Sequence, residues 1–116
     1  MPYDPTATKY LVRQVRQHVR EHLSDPVRLA DLARTAGLSR FHFSREFSRL
    51  AGRTPMADVR LLRLEHARDL LVSSSLPLKS IAKRSGLGDE HALCRLFRRH
   101  FGVSPGSLRG RKGPNR

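Results

Sequence analysis

The chain has 116 residues, and its 23 Lys and Arg against 10 Asp and Glu give a formal net charge of +13. This length fits one compact domain, and a hydrophobic fraction of 38% excludes a disordered composition. The excess of cations indicates a polyanionic partner, most commonly nucleic acid and otherwise an acidic membrane surface.

The cysteine content and the lengths of the apolar runs indicate the cellular compartment in which the protein is expected. The single cysteine, Cys94, excludes an internal disulfide and fits a reducing cytoplasm. No apolar run approaches the ~20 residues needed to cross a bilayer, and the first residues lack the apolar core of a signal peptide. We therefore expect a cytoplasmic protein that does not enter membranes.

Seven helical segments and no strand are predicted, so the expected fold is all-α. The first helix repeats apolar residues every four positions from Leu11, Gly37 ends the second, Ser39 caps the third, and Pro55 opens a long fourth helix. The predicted helices cover residues 7–23, 29–36, 40–51, 56–72, 78–85, 89–100, and one or two turns from residue 105. The remaining residues, 110–116, are predicted to form a disordered basic tail.

An internal repeat is the most informative feature of the sequence. Each copy is a short helix, a turn centred on glycine and a longer basic helix, which is the layout of a helix-turn-helix unit. At an offset of 49, the first copy's Leu29, Leu32, Ala33, Gly37 and Leu38 match Leu78, Ile81, Ala82, Gly86 and Leu87. At an offset of 50, Phe43, Arg45, Phe47, Gly52 and Pro55 match Leu93, Arg95, Phe97, Gly102 and Pro105. Two helical hairpins could also build a simple bundle, but two copies that each end in a basic helix favour DNA binding.

The repeat predicts a division of the chain. We expect an N-terminal helix-turn-helix unit over residues 1–54, a linker helix over 55–74, a C-terminal unit over 75–109 and the tail over 110–116. A linker helix of about 17 residues is roughly 25 Å long, and successive major-groove segments on one face of a duplex lie about 34 Å apart. One chain could therefore insert two recognition helices without dimerising.

Three segments resemble the DNA-binding domain of the AraC/XylS family of bacterial transcription regulators. The first is Leu29–Ala33 followed by Gly37–Phe47, and the second is Arg63–Leu71, which is similar to that family's linker helix. The third is Ile81-Ala82 and Gly86-Leu87 followed by Arg95–Pro105, in which Phe97–Pro105 is the most specific signature. The resemblance covers about residues 10–109. It implies sequence-specific binding of double-stranded promoter DNA, with two helices in adjacent major-groove segments.

The absence of a separate ligand-binding domain from this sequence makes it similar to the stand-alone MarA/SoxS type. That resemblance implies a monomer on DNA that activates transcription by contacting RNA polymerase. Two alternatives stay open: the excised DNA-binding domain of a larger ligand-responsive regulator, and a non-specific nucleoid-type or RNA-binding protein.

The outward face of the first unit's longer helix is predicted to contact bases. Phe43, Phe47 and Leu50 should face the core, which leaves the opposite face to Arg40, Phe41, Ser44 and Arg45. An Arg45 fork can take guanine O6 and N7, and Phe41 can pack on a thymine methyl or a sugar. The resemblance places Ser44 and Arg45 at base-contacting positions. Core packing of Phe41 and a phosphate contact of Arg45 are the alternatives.

The second unit is predicted to present Glu90, His91, Cys94 and Arg95 in the same way, with Arg95 equivalent to Arg45. The first three depart from the small polar residues usual in the family, and Gly88 replaces its usual hydroxyl cap. Two interpretations stay open: a relaxed second half-site, or plain solvent exposure of these residues. Asp58 replaces a common aromatic, which predicts weaker packing where the long helix begins. The predicted backbone clamps are Arg49, Arg53, Lys79, Lys83, Arg84, Arg98 and Arg99.

Other functions find little support in the sequence. His18 and His22 have a spacing that can hold zinc, but no third ligand is suitably placed. Cys94 beside Arg95 raises redox sensing or alkyl-transfer chemistry, but no His/Asp arrangement supports catalysis. The apolar stripe of the first helix lacks the bulky aromatic side chains of a membrane binder. We expect no enzyme activity, no metal and no cofactor.

Overall fold

The computed structural model describes residues 10–112, with side chains for residues 10–110. Its elements are α1 (Leu11–Glu21), α2 (Leu29–Ala36), α3 (Arg40–Ala51), α4 (Pro55–Ser73), α5 (Leu78–Arg84), α6 (Glu90–Phe101) and α7 (Pro105–Lys112). No strand occurs within residues 10–112, and the predicted all-α fold is confirmed.

The second and third helices have the predicted bounds, and the ends of the next three differ from the prediction by no more than one residue. Helix α1 ends at Glu21 instead of residue 23, and its predicted start at residue 7 lies outside the described residues. Helix α7 extends to Lys112 and so takes up the first three residues of the predicted disordered tail. The rest of that tail, residues 113–116, is outside the described residues.

The chain divides into two compact units, Met1–Arg60 and Leu61–Arg116. The division falls inside α4, so the predicted linker helix contributes its first six residues to one unit and the remainder to the other.

In the first unit, α1 packs against α2 and α3, and α2 packs against α3. The spacing by four in α1 does bury Leu11, Val15 and Val19, which are at most 4% exposed. Leu23, the last residue of the predicted stripe, lies beyond the end of α1 and is half-buried. Fully buried Phe43 and Phe47 of α3 stand 5.7 Å apart, centroid to centroid. These two rings fix which face of α3 is turned away from the core.

In the second unit, α6 packs against α5 and α7. The buried core contains Leu64, Ala67 and Leu71 of α4, Ile81 and Ala82 of α5, Leu87 of the turn, and Leu93 and Phe97 of α6. Burying each of the larger side chains contributes about 2 kcal/mol relative to exposure. As in the first unit, two large side chains four residues apart anchor the longer helix.

The two turns have the same backbone geometry. Gly37 and Gly86 adopt φ values of 72° and 71°, a region that L side chains enter only with strain. After each glycine, a leucine N–H donates to an alanine carbonyl five residues earlier: Leu38 to Ala33 at 2.9 Å and Leu87 to Ala82 at 3.0 Å. The predicted role of these glycines is confirmed, and the sequence repeat is a structural repeat.

Arg109 of α7 holds the end of α4 in the second unit. Its guanidinium donates to the backbone carbonyls of Leu71 at 3.2 Å, Ser74 at 3.1 Å and Leu76 at 2.6 Å. These carbonyls lie where α4 ends and its own hydrogen-bond ladder stops. The side chain therefore ties the last helix to the segment that leads into α5.

Candidate nucleic-acid interface

The four base-contacting residues predicted in the first unit share the outer face of α3. Arg40, Phe41 and Arg45 are exposed and Ser44 is half-buried. The Ser39 side chain caps α3 by accepting a hydrogen bond from the His42 N–H at 3.1 Å. The helix start that would enter a groove is thus held by its own cap and by the phenylalanines behind it. Contact of these residues with bases stays a prediction.

Phe41 is the most exposed large apolar side chain of the described residues, with 73% of its surface accessible. Packing of Phe41 in the core, the alternative left open by the sequence, is therefore wrong. Its ring lies under the guanidinium of Arg45, with 5.2 Å between Arg45 Cζ and the ring centroid. A shallow open depression beside it is lined by Leu29, Ser39, Arg40, Phe41 and Ser44.

Leu50 does not face the core as predicted. It is 39% exposed, whereas Phe43 and Phe47 on the same stripe are fully buried. Leu50 lies in the last turn of α3, just before Gly52 ends the helix, and the core no longer covers this stripe there.

On α6 of the second unit, the corresponding residues show the same pattern of exposed and half-buried side chains as on α3. Glu90, His91 and Arg95 are exposed and Cys94 is half-buried, as are their counterparts on α3. The cap differs from the prediction, because Asp89 and not Gly88 is the N-cap residue. Asp89 accepts a hydrogen bond from the Ala92 N–H at 2.8 Å, so the helix does not lack a side-chain cap.

All seven predicted backbone clamps are exposed, but two of them have acidic partners. Arg49 donates to Glu46 Oε1 at 2.8 Å one turn away. Arg53 donates to Asp58 Oδ1 at 2.7 Å. A phosphate would have to compete with these carboxylates. The other clamps are Lys79, Lys83 and Arg84 of α5 and Arg98 and Arg99 of α6.

Asp58 lies at the centre of an ion-pair network that the sequence analysis missed. Its carboxylate is 2% exposed and accepts hydrogen bonds from Arg16 Nε at 2.9 Å and Arg16 Nη2 at 2.8 Å, besides the one from Arg53. Burial by itself would raise the pKa of Asp58, but the hydrogen bonds and charges of Arg16 and Arg53 outweigh burial and hold the pKa below its ordinary value. Where an aromatic side chain was expected, a paired carboxylate joins α1 to α4.

The histidines considered for zinc contact each other. The rings of His18 and His22 stack at 4.4 Å, and His22 Nδ1 lies 2.8 Å from the His18 carbonyl oxygen, as an Nδ1–H donor would. In the part of the chain that the structure describes, no group of three or more His, Cys, Asp or Glu could hold a metal ion. A search of the same residues finds no helix with the length and apolar character that a membrane crossing requires.

Comparison with known proteins identifies the family. Residues 32–111 match the family described as "Helix-turn-helix domain". The chain is 35% identical over 94 residues to the MmsAB operon regulatory protein of Pseudomonas aeruginosa, covering 81% of this chain and 31% of that protein. It is 32% identical over 105 residues to the regulatory protein PocR of Salmonella typhimurium, covering 90% and 35%. The chain therefore spans about a third of the length of these curated relatives.

Solved structures agree with the sequence relatives. The DNA-binding domain of the global transcriptional factor AdpA, in complex with a target DNA, superposes with a TM-score of 0.83 at 31% identity, covering 90% of this chain and 95% of that one. The C-terminal domain of AraT, a response regulator from Geobacillus stearothermophilus, gives 0.80 at 30% identity, covering 87% and 84%. An AraC-type regulator from Chromobacterium violaceum gives 0.85 at 23% identity, covering 94% and 97%, and shares the fold. The relatives are DNA-binding transcription regulators and not enzymes, and this chain belongs to the AraC/XylS family of helix-turn-helix DNA-binding domains.

Proposed function

We propose that this chain binds a specific double-stranded promoter site through the outer faces of α3 and α6. The observation that carries the proposal is the matched presentation of the two helices. In each, two large side chains are buried, and four residues near the helix start stand on the opposite face. Side chains so placed at the start of a recognition helix are those that reach base edges.

The chemistry of the two faces suggests what each helix reads. Arg45 and Arg95 occupy equivalent positions and can each take guanine O6 and N7 as a fork, worth about 1–3 kcal/mol of discrimination. Glu90 can accept from cytosine N4, and the half-buried Cys94 is small enough to meet a thymine methyl. The sequence specificity of the second half-site then depends mainly on Arg95, and its remaining positions tolerate more substitutions.

The proposal includes how the two units engage DNA. The two helices enter adjacent major-groove segments of one asymmetric site, and the chain binds as a monomer. The exposed cations of α5 and α6 contact backbone phosphates, which set register and affinity but carry no sequence information. The proposal also includes activation by contact with RNA polymerase, which the resemblance to the stand-alone type implies. The AdpA domain, in complex with its target DNA, supports DNA as the ligand.

Selection of bound duplexes from a random pool tests the proposal. We expect a two-part motif that spans roughly 18–20 bp, with one guanine lost from the motif by Arg45→Ala and another by Arg95→Ala. Arg45→Ala should weaken binding more on the selected site than on random duplex. Equal losses on both would make Arg45 a phosphate clamp. Failure to retain any selected duplex against excess random DNA at ~150 mM salt would indicate a non-specific binder instead.

A further inference from the structure

The pairing of Phe41 with Arg45 on α3 gives the exposed aromatic ring a second role. Arg45 lies one turn after Phe41, and its Cζ is 5.2 Å from the ring centroid, within the ~6 Å range of an attractive cation–π contact. Glu46, the next residue along the helix, directs its carboxylate to Arg49. Among the residues that the structure describes, the Arg45 guanidinium contacts an aromatic face and no carboxylate.

This difference matters for an arginine that is to read a base. A carboxylate would take up N–H donors of the guanidinium, whereas the face of an aromatic ring takes up none of them. A free arginine side chain carries about 2 kcal/mol of rotamer entropy, part of which is lost whenever its fork is fixed on a base. An arginine that already rests on a ring loses less on binding, because some of that freedom has been removed beforehand.

The helical turn that carries the Phe41 ring is held in place from two sides. Phe41 lies in the first turn of α3, which the Ser39 cap holds at its start and Phe43 holds against the core. The second unit lacks an equivalent pair. His91 stands at the position of Phe41, and no ring contact joins it to Arg95 in the described part of the chain. The two equivalent arginines therefore differ in whether an aromatic ring lies against the guanidinium.

We propose that Phe41 is a positioning residue that holds the Arg45 fork ready for guanine, and that Arg45 consequently discriminates bases more sharply than Arg95. The inference rests on the proposed function, because it assumes that both arginines read bases. The half-site bound by the first unit should therefore be the more sequence-specific of the two, because Phe41 restricts the Arg45 side chain before DNA binds.

The first experiment measures the guanine selectivity of Arg45 in Phe41 variants. The probe is a duplex recovered by selection, together with the same duplex carrying 7-deazaguanine, which lacks the N7 acceptor, at the Arg45 position. Phe41→Leu keeps an apolar side chain but removes the ring face, and should lower the ratio of the two affinities roughly two- to fivefold. Phe41→Tyr keeps the face and should retain the ratio. An unchanged ratio in Phe41→Leu would overturn the inference.

A second pair of duplexes separates positioning from a direct contact between the ring and a thymine methyl. Replacing the neighbouring thymines by deoxyuridine removes the methyl groups and leaves the guanine in place. The effect of Phe41→Leu on guanine selectivity should persist on this duplex. If it disappears there, the ring acts only through the methyl group and positioning is refuted.

A gain-of-function variant removes misfolding as an explanation. His91→Phe places a ring one turn before Arg95 at an exposed position of α6. The ratio of the affinity for the duplex with guanine at the Arg95 position to that for the same duplex with 7-deazaguanine should rise at least about twofold. No rise would contradict the inference. Failure of the selection to yield any preferred sequence would refute the proposed function itself, an outcome distinct from the others.

Discussion

At the scale of single residues, the chemistry that matters most is carried by arginines whose partners differ. Arg45 rests on an aromatic face, Arg53 and Arg16 hold a buried carboxylate, and Arg109 caps backbone carbonyls. The sequence cannot distinguish these roles by residue type. The i,i+4 spacing of Phe41 and Arg45 on one helix face was the single local signal available, while the Arg16 to Asp58 pair joins residues far apart in the chain.

The first prediction concerns the buried carboxylate. Asp58→Ala should lower the free energy of unfolding by about 3 kcal/mol, because it removes the buried carboxylate that pairs with both Arg16 and Arg53. Urea unfolding followed by circular dichroism measures the loss. Arg34→Ala is the matched control, since its pair with Asp31 is exposed and contributes little. Equal losses in the two variants would refute a special role for Asp58.

The same carboxylate predicts how stability depends on pH. The folded-state pKa of Asp58 lies below its unfolded value, so the unfolded state binds the proton more readily. The stabilisation is present in full above the unfolded pKa, near pH 4, and declines as the pH falls through the folded pKa. The wild-type protein should therefore lose more stability between about pH 7 and 3 than Asp58→Asn does. Parallel curves would show that this carboxylate does not contribute.

At the scale of elements, helix ends and core faces were predictable and long-range ties were not. Periodicity and glycine stops located the helices to within one or two residues over most of the chain, because both signals are local. The two exceptions have physical causes. Leu50 continues the apolar stripe of α3 beyond the edge of the core and is therefore exposed. The N-cap of α6 was predicted at Gly88, which has no capping side chain, but the helix begins one residue later and Asp89 caps it.

The tie between α7 and the end of α4 leads to a prediction at this scale. Arg109→Ala should lower the free energy of unfolding by about 2 kcal/mol, since three carbonyls lose a charged donor. Arg109→Lys should give a smaller loss, because one ammonium cannot reach all three. Thermal unfolding measures both. Arg99→Ala on the exposed side of α6 should change stability by less than about 0.5 kcal/mol, and a similar change in Arg109→Ala would contradict the tie.

At the scale of the whole molecule, the sequence repeat was the best guide to function. It predicted two similar helix-turn-helix units, which the matched turns and buried pairs confirm. The division between the compact units falls inside α4, a position that a sequence repeat does not report, because it identifies similar segments and not which residues pack together. Which bases are read could not be derived, since that depends on contacts with a second molecule.

The net charge of +13 leads to a prediction about salt. Each clamp that neutralises a phosphate should contribute about 0.9 to the slope of log affinity against log salt. Arg98→Ala and Lys79→Ala should each reduce that slope by about one unit, on selected and random duplexes alike, while Arg20→Ala on α1 leaves it unchanged. Fluorescence anisotropy of a labelled duplex between about 50 and 200 mM salt measures the slopes. Three identical slopes would remove Arg98 and Lys79 from the interface.

The distribution of amines among the helices has a practical consequence. The chain contains 19 Arg and 4 Lys, and α3 and α6 contain arginines but no lysine, whereas α5 contains both Lys79 and Lys83. Acylating reagents attack amines and spare guanidinium groups. Among the described side chains, acetylation would thus neutralise only Lys79 and Lys83 of α5 and leave Arg84 charged. A duplex that shields these two lysines from the reagent would therefore report contact with that one helix.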